Sequence, residues 1–591
     1  MVEQSSRGRV AVVSLTVLGQ DPSVAAPRDH PRASAGPLKV SVAVPIDWVE
    51  PGPRSHRFFV VDYDSSTDLL AAADAARLAP PVDRDDAERW AQRGWLWQDR
   101  ADPDLADPSF RAQHVFAVAS RTLSLFEAAL GRRVPWAFKG AQLFLVPHAF
   151  AEANAFYSFE DRAVLFGYLP GDEGEVQTAL SFDIVSHEVT HALVDGLRPN
   201  WIEPGPVEQA AFHEGFADVV ALLSACSLAP ILRDVLSGSG WASRVGASRL
   251  TVAALEASPL ATIGEQLGAR LTGRRSGALR HSTSLLNDRR LAKDPGFWRT
   301  EFAEPHRRGE VLVAATLDAL FGMWTNRLRP LLESAEREVD LARVVEEGVK
   351  AAGHLLTMYI RSLDYCPPVE LEFADFVAAG LVADEELAPD DTYEYRQILE
   401  AAFARFDIHA GEQLYGIAST LPLSYRGTNA SALRSDRTEI SRFIWQNADV
   451  LEIDRRWYTE VVDVSPVTRT GPDGLLLNEV VATYVQQLEA PKDWLVGQQL
   501  NGADDLADRA VLRMFGGGAL VFDQFGRLRL HHTKPLFDLA RQAVRLRRLL
   551  DDGSADDTDG DHRVGIRTAP TRTSFFQQLH VLGDPYAGEI W

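Results

Sequence analysis

The chain has 591 residues, 46% of them hydrophobic and 24% charged, with a formal net charge of -23. That length is too great for one core, so two or three domains of a globular protein are expected. An acidic chain without a basic block is a poor binder of nucleic acid or of anionic membranes.

Residues 1–35 join a short apolar run to a segment rich in Pro, Ala, Ser and Arg, and read as a flexible arm holding one strand. The run is too short and broken for a signal sequence. No stretch reaches the roughly 18 apolar residues of a membrane span. The two cysteines, Cys226 in an apolar run and Cys366 before two prolines, read as structural and offer no disulfide framework. Together these point to a cytoplasmic protein.

From 36 to 180 a β-rich lobe is expected. "LKVSVAVPIDWV" and "HRFFVVDYD" alternate as strands, and "DDAERWAQRGWLW" suggests a short helix. Residues 109–131 repeat apolar positions at helical spacing and stop at Gly131; "AQLFLVPHAF" and "RAVLFGYLP" then read as strands. From 181 to 409 the pattern is helical. A polar linker is expected at 410–440, then a small α/β accessory domain at 441–550. In it "WYTEVVDVSPV" and "LLLNEVVATYVQQLE" flank the turn "GPDG", and "ALVFDQFGRLRLHH" is a hairpin. An acidic linker and tail close the chain at 551–591.

The helical run opens with "DIVSHEVTHALVDG". Positions four apart share a helix face, so His187 and His191 can present nitrogens to one ion, with Glu188 beside them. The next helix, "EQAAFHEGFADVVALL", offers Glu214 as a third ligand and Asp218 one turn on. Two histidines and a glutamate form a catalytic zinc set, one Zn2+ per chain, and a carboxylate on the far nitrogen of a ligating histidine would fix its tautomer. His213 competes with Glu214 as the ligand.

These motifs resemble those of the thermolysin family of gluzincin metallopeptidases. "FDIVSHEVTHALVDGL", with Asp183 four residues before the first His, resembles the family's first zinc helix, and "FHEGFADVV" its second. "EANAFYS" is similar to the edge strand whose Asn and Ala hold an extended substrate, here Asn154 and Ala155. "LRHSTSLLNDRRL" resembles the segment carrying the substrate-binding Arg, here Arg280. "EPHRRGEVLVAATL" resembles the segment carrying the oxyanion-stabilising His, here His306. The likeness spans about 109–408. It implies an α+β, two-lobed fold, with a β-rich N-lobe, a helical C-lobe and the zinc helices between, plus the accessory domain.

The same resemblance implies hydrolysis of peptide bonds, with Glu188 as the acid–base residue and His306 as the oxyanion donor. Ile184 and Leu279 match the pocket for the residue after the cut, so an apolar residue is expected there. The chain also departs from the family. No Tyr lies between His191 and Glu214, where Trp201 is the nearby aromatic. The partner of His306 is open between Glu301 and Glu304. The acidic cluster of the family's calcium site is missing after Asp218, so calcium dependence is not expected.

The expected partner is a peptide or protein substrate, with residues 441–591 or the N-terminal arm gating the cleft as a built-in inhibitor. A catalytically silent peptide-binding or scaffold protein is the competing reading, and an aminopeptidase a further one. His531 and His532 lie on opposite faces of a strand and read as structural, as do His114 and His148. "FGGGAL" at 515–520 lacks the Lys-Ser/Thr of a phosphate loop and reads as a flexible turn.

Overall fold

The computed structural model describes residues 12–19, 37–45, 54–64, 69–70, 105, 107–152, 154–171, 174–203, 205–238, 243–256, 284–334, 338–386, 388–411, 421–426, 428–470, 474, 476–551 and 563–564. Strand β1 (Val12–Leu18) pairs antiparallel with β2 (Lys39–Pro45). Its alternation buries Val13, Leu15 and Val17, so this part of the expected flexible arm is a packed strand. The helix expected at "DDAERWAQRGWLW" lies outside the described residues, as does most of 551–591.

Strand β3 (Phe58–Val60) precedes α1 (Pro108–Leu130). This helix is apolar on nearly every face and is buried along most of its length, as a central helix must be. Asp107 caps its start by accepting from the Ser109 N–H at 2.8 Å, and Gly131 ends it in the left-handed conformation at φ 70°. Strands β4 (Leu143–Phe150), β5 (Ala155–Ser158), β6 (Ala163–Gly171) and β7 (Gly174–Gln177) complete a sheet of order β3-β4-β6-β5, with β7 also beside β6. The β3–β4 and β4–β6 pairs are parallel, and β5 lies antiparallel on β6 at the sheet's edge.

Helix follows helix from there: α2 (Phe182–Leu197), α3 (Val207–Cys226), α4 (Pro305–Ser334), α5 (Leu341–Tyr365), α6 (Phe373–Glu385) and α7 (Tyr395–Ala404). Helices α3 and α4 cross where Gly215 meets Gly309: a Cβ at Gly215 would stand 2.9 Å from the Gly309 carbonyl oxygen. None of the described helices is by itself long and apolar enough to cross a membrane. Cys226 and Cys366 are buried thiols without a disulfide.

The C-terminal unit holds α8 (Arg437–Gln446), β8 (Thr459–Thr470), β9 (Leu476–Pro491), β10 (Val511–Phe522), β11 (Leu528–Lys534) and α9 (Leu539–Asp551). The four strands form an antiparallel meander in sequence order, so its architecture is α+β where α/β was expected. Part of the expected linker belongs to this unit: Leu433 is buried in its core, and the Tyr425 hydroxyl accepts from the Leu528 N–H at 2.9 Å. "FGGGAL" is no turn. Gly516, Gly517 and Gly518 lie inside β10, paired with β9, and a Cβ at Gly517 would meet the Tyr484 carbonyl oxygen at 2.5 Å and Pro368 at 3.2 Å. Glycine serves close approach here, with another chain segment lying on the strand.

Val467, Val481, Val521 and Leu530 of this sheet share one buried cluster with Val185 of α2 and Phe216 of α3. Asp364 and Tyr365, at the end of α5, meet Arg469 of β8 and Glu479 of β9 in a buried ionic network. The whole chain is mixed α+β.

The Gly131 position tests the α1–β8 contact. A Cβ there would lie 2.3 Å from the Thr468 carbonyl oxygen, on a residue at φ 70°. Gly131→Ala should destabilise the protein by about 2 kcal/mol or more in chemical denaturation. Gly353→Ala, within α5 and with nothing inside 4 Å of the added carbon, should stabilise it by roughly 0.5–1 kcal/mol.

Candidate metal centre

Helix α2 begins at Ser181, whose hydroxyl donates to Asp183 in the first turn. One turn later His187 and His191 stand on the same face, and their Nε2 atoms are 3.0 Å apart. Helix α3 returns across them. Glu214 brings Oε2 to 3.6 Å from His187 Nε2 and Oε1 to 3.4 Å from His191 Nε2. These residues can hold a metal ion: one donor atom from each lies within 4.8 Å of the others. Each histidine faces a different oxygen of Glu214, and the separations of 3.0–3.6 Å lie around the edge of about 3.3–3.4 Å between tetrahedral ligands of an ion at roughly 2.0–2.1 Å.

Asp218 lies one turn beyond Glu214, and its Oδ1 accepts from His187 Nδ1 at 2.8 Å. That bond places the proton of a neutral ring on Nδ1 and turns the Nε2 lone pair toward the centre. Burial works against charge on His187, but the hydrogen bonds to Asp218 and Glu214 and the negative charge of Glu188 outweigh it and raise its pKa well above the usual value. Glu188 is itself buried. His213 is not among the grouped donors. Adjacent helix positions point in different directions, and burial holds its pKa down at about 4.

His306 enters from the first turn of α4. Its Nε2 is 3.2 Å from Glu214 Oε2, and its Nδ1 donates to Glu304 Oε1 at 2.8 Å. Glu304 also accepts from the backbone N–H groups of His306 and Arg307, at 2.9 and 2.8 Å, so one carboxylate caps the helix and orients the imidazole. Glu301 is instead at the surface on Arg290. Burial opposes charge on His306, but Glu214 and Glu304 raise its pKa to about 10.

A scan against protein-family models finds no match, and a search of curated proteins finds none.

The other anticipated residues fall variously. Asn154 and Ala155 open the edge strand β5, and the Asn154 side chain accepts from the Ala155 N–H at 2.9 Å. Ile184 is half-buried against the main core, three residues before His187. Arg280 and Leu279 lie outside the described residues. Trp201 is fully buried and its indole N–H donates to the Pro367 carbonyl at 3.1 Å, so it is packed in the core and does not stand in for the missing Tyr.

Four further histidines, His114, His148, His531 and His532, have structural partners. His114 accepts from the Leu18 N–H at 3.2 Å, and burial lowers its pKa to about 3. His148 pairs with Glu175 and stacks on Tyr168. His531 meets the Tyr484 hydroxyl, while His532 meets the Tyr365 carbonyl and Asp375.

Two site features escaped the sequence. Tyr157 of β5 donates to Asp195 of α2 at 3.2 Å, tying the edge strand to the helix that bears both histidines. The Asp before Gly196 is the only sign of it. Glu310 lies one turn beyond His306 and is buried, where it feels the charges of Arg307, Glu304, Asp218 and His306. Burial pushes its pKa up to about 8 against the opposing pull of Arg307.

Asp218→Asn should keep the fold and weaken metal affinity about 10- to 100-fold, measured with zinc as the probe by competition with a chromophoric chelator. Glu310 should tilt the pH dependence of stability. Between the ordinary Glu pKa and about 8, the folded state keeps a proton that the unfolded chain releases. Stability is therefore highest below that window and falls as pH rises through it. Glu310→Gln should flatten the fall, gaining on the wild type at pH 8 by up to a few kcal/mol, on the order of the shift itself. Chemical denaturation at pH 5 and pH 8 with a chelator present measures this.

Proposed function

We propose that the chain is a thermolysin-like zinc metalloendopeptidase. The observation that carries this reading is the convergence of His187, His191 and Glu214, with Glu188 beside the pair and His306 across from it. The donor set of two imidazoles and one carboxylate suits zinc in a catalytic site. A bound zinc ion would supply Lewis acidity to a water molecule and to the scissile carbonyl.

The chain's own residues divide the remaining work. Glu188 takes a proton from the attacking water as its oxygen joins the carbonyl carbon, and delivers that proton to the amine as the C–N bond breaks. His306, held by Glu304, donates from Nε2 to the oxygen that gains negative charge, where a preorganised donor is worth about 3–4 kcal/mol. Asp218 keeps His187 in the ligating tautomer. Asn154 and Ala155 stand where an extended peptide would add a strand to the edge of the sheet. Ile184 supports an apolar preference after the cut, with Arg280 and Leu279 expected to complete the substrate contacts.

The test compares the wild type with Glu188→Gln for zinc per chain and for cleavage of a mixed peptide library. Zinc is expected in both, with cleavage lower by at least about 10²-fold in the variant. His306→Ala should lower kcat by roughly 10²–10³-fold with little change in KM. Zinc in both proteins with cleavage in neither would favour a catalytically silent peptide-binding protein, a reading that the lack of a Tyr between His191 and Glu214 supports. Absence of zinc from both would overturn the metal centre.

A further inference from the structure

The segment 364–375, which runs from the last residues of α5 through the connection into the first turn of α6, is held from two sides. On one side lies the C-terminal unit. Arg469 binds Asp364 at 2.5 Å and donates to the Tyr365 hydroxyl at 3.0 Å. Pro368 rests on Gly517. Arg541 and Arg545 both pair with the buried Glu370. Lys534 binds Glu372 at 2.8 Å and Asp375 at 2.7 Å.

On the other side lies the start of α3. No side chain caps this helix at Pro206. Its first-turn side chains instead reach the segment: Glu208 accepts from the Phe373 N–H at 2.7 Å, and Gln209 from the Leu371 N–H at 3.2 Å. Arg548 of α9 adds a direct tie by donating to the Gly205 carbonyl at 2.5 Å. Glu214 follows less than two turns later, and Phe376 packs on both Phe212 and Phe216 around it.

We propose that residues 421–551 serve as a fixed buttress for the helix that carries Glu214, acting through segment 364–375, and not as a cover that lifts from the cleft. The reason is mechanical. A carboxylate ligand needs placement to within about 0.5 Å, which an uncapped first turn does not supply by itself. Segment 364–375 provides the missing restraint, and the basic face of the C-terminal unit holds that segment. The inference shares with the proposed function only the assignment of Glu214 as a ligand.

The experiment uses the full chain and compares the wild type with Lys534→Met, Arg545→Met and Glu208→Met. Hydrogen exchange is followed in metal-free protein, and zinc affinity by chelator competition. In all three variants the amides of 207–214 should exchange about tenfold faster or more, while those around His187 and His191 keep their protection. Zinc affinity should fall by about tenfold.

Glu208→Met removes the acceptor at the last link and leaves the C-terminal sheet intact, so it decides the matter should the other two variants fail to fold. Wild-type protection of 207–214 in Glu208→Met, with wild-type zinc affinity, would overturn the proposal. If the wild type itself takes up no zinc, the metal reading fails, and the exchange rates still decide whether the buttress exists.

Discussion

The close crossing of α3 and α4 at Gly215 and Gly309 is the constraint on which the site depends. A Cβ at Gly309 would lie 3.1 Å from the Ala211 carbonyl oxygen, and one at Gly215 2.9 Å from the Gly309 oxygen. With no side chain between the backbones, residues one turn from the crossing face each other at hydrogen-bond range. Glu214 on α3 then reaches His306 on α4, and Asp218 shares an environment with Glu310. A larger residue at either position would move His306 away from Glu214, however well the helix bearing His187 and His191 were formed.

The parts of this arrangement that sequence reveals are those set by one helix at a time. His187 and His191 are four apart, as are Glu214 and Asp218, and helical geometry alone puts each pair on one face. The structure adds that the two faces meet. Glu304 and Glu301 were equally placed in sequence. They are separated by the start of α4, which needs a capping carboxylate at Glu304 and leaves Glu301 to the surface.

What stayed hidden was long-range. Nothing near Asp195 announces Tyr157, and nothing near "FGGGAL" announces Pro368, because those partners are distant in sequence. Glycine triplets read as turns where only local conformation is weighed. Here their use is to let a segment lie flat on a strand. Trp201 shows a related limit: it is the aromatic near the place where the resemblance calls for a Tyr, while its bulk and its N–H are both committed to the core.

Two buried ionic clusters, around Asp364 and around His187, differ in kind. Around Asp364 the acids are matched by guanidinium groups: Arg132 at 2.5 Å, Arg469 at 2.5 Å and Arg198 at 4.0 Å. Such a cluster carries its own counter-charge and specifies how the C-terminal unit sits, since removing one member would leave a buried charge uncompensated. Around His187 the acids act on imidazoles. Asp218 and Glu304 each take an Nδ1 proton, and both rings are thereby made more attractive to positive charge at Nε2. An acid that orients a histidine in this way prepares a ligand or a donor, where an acid on an arginine only closes an ion pair. That difference, more than the count of charges, sets the two apart: one cluster closes ion pairs, and the other orients imidazoles around a group that can hold a metal ion.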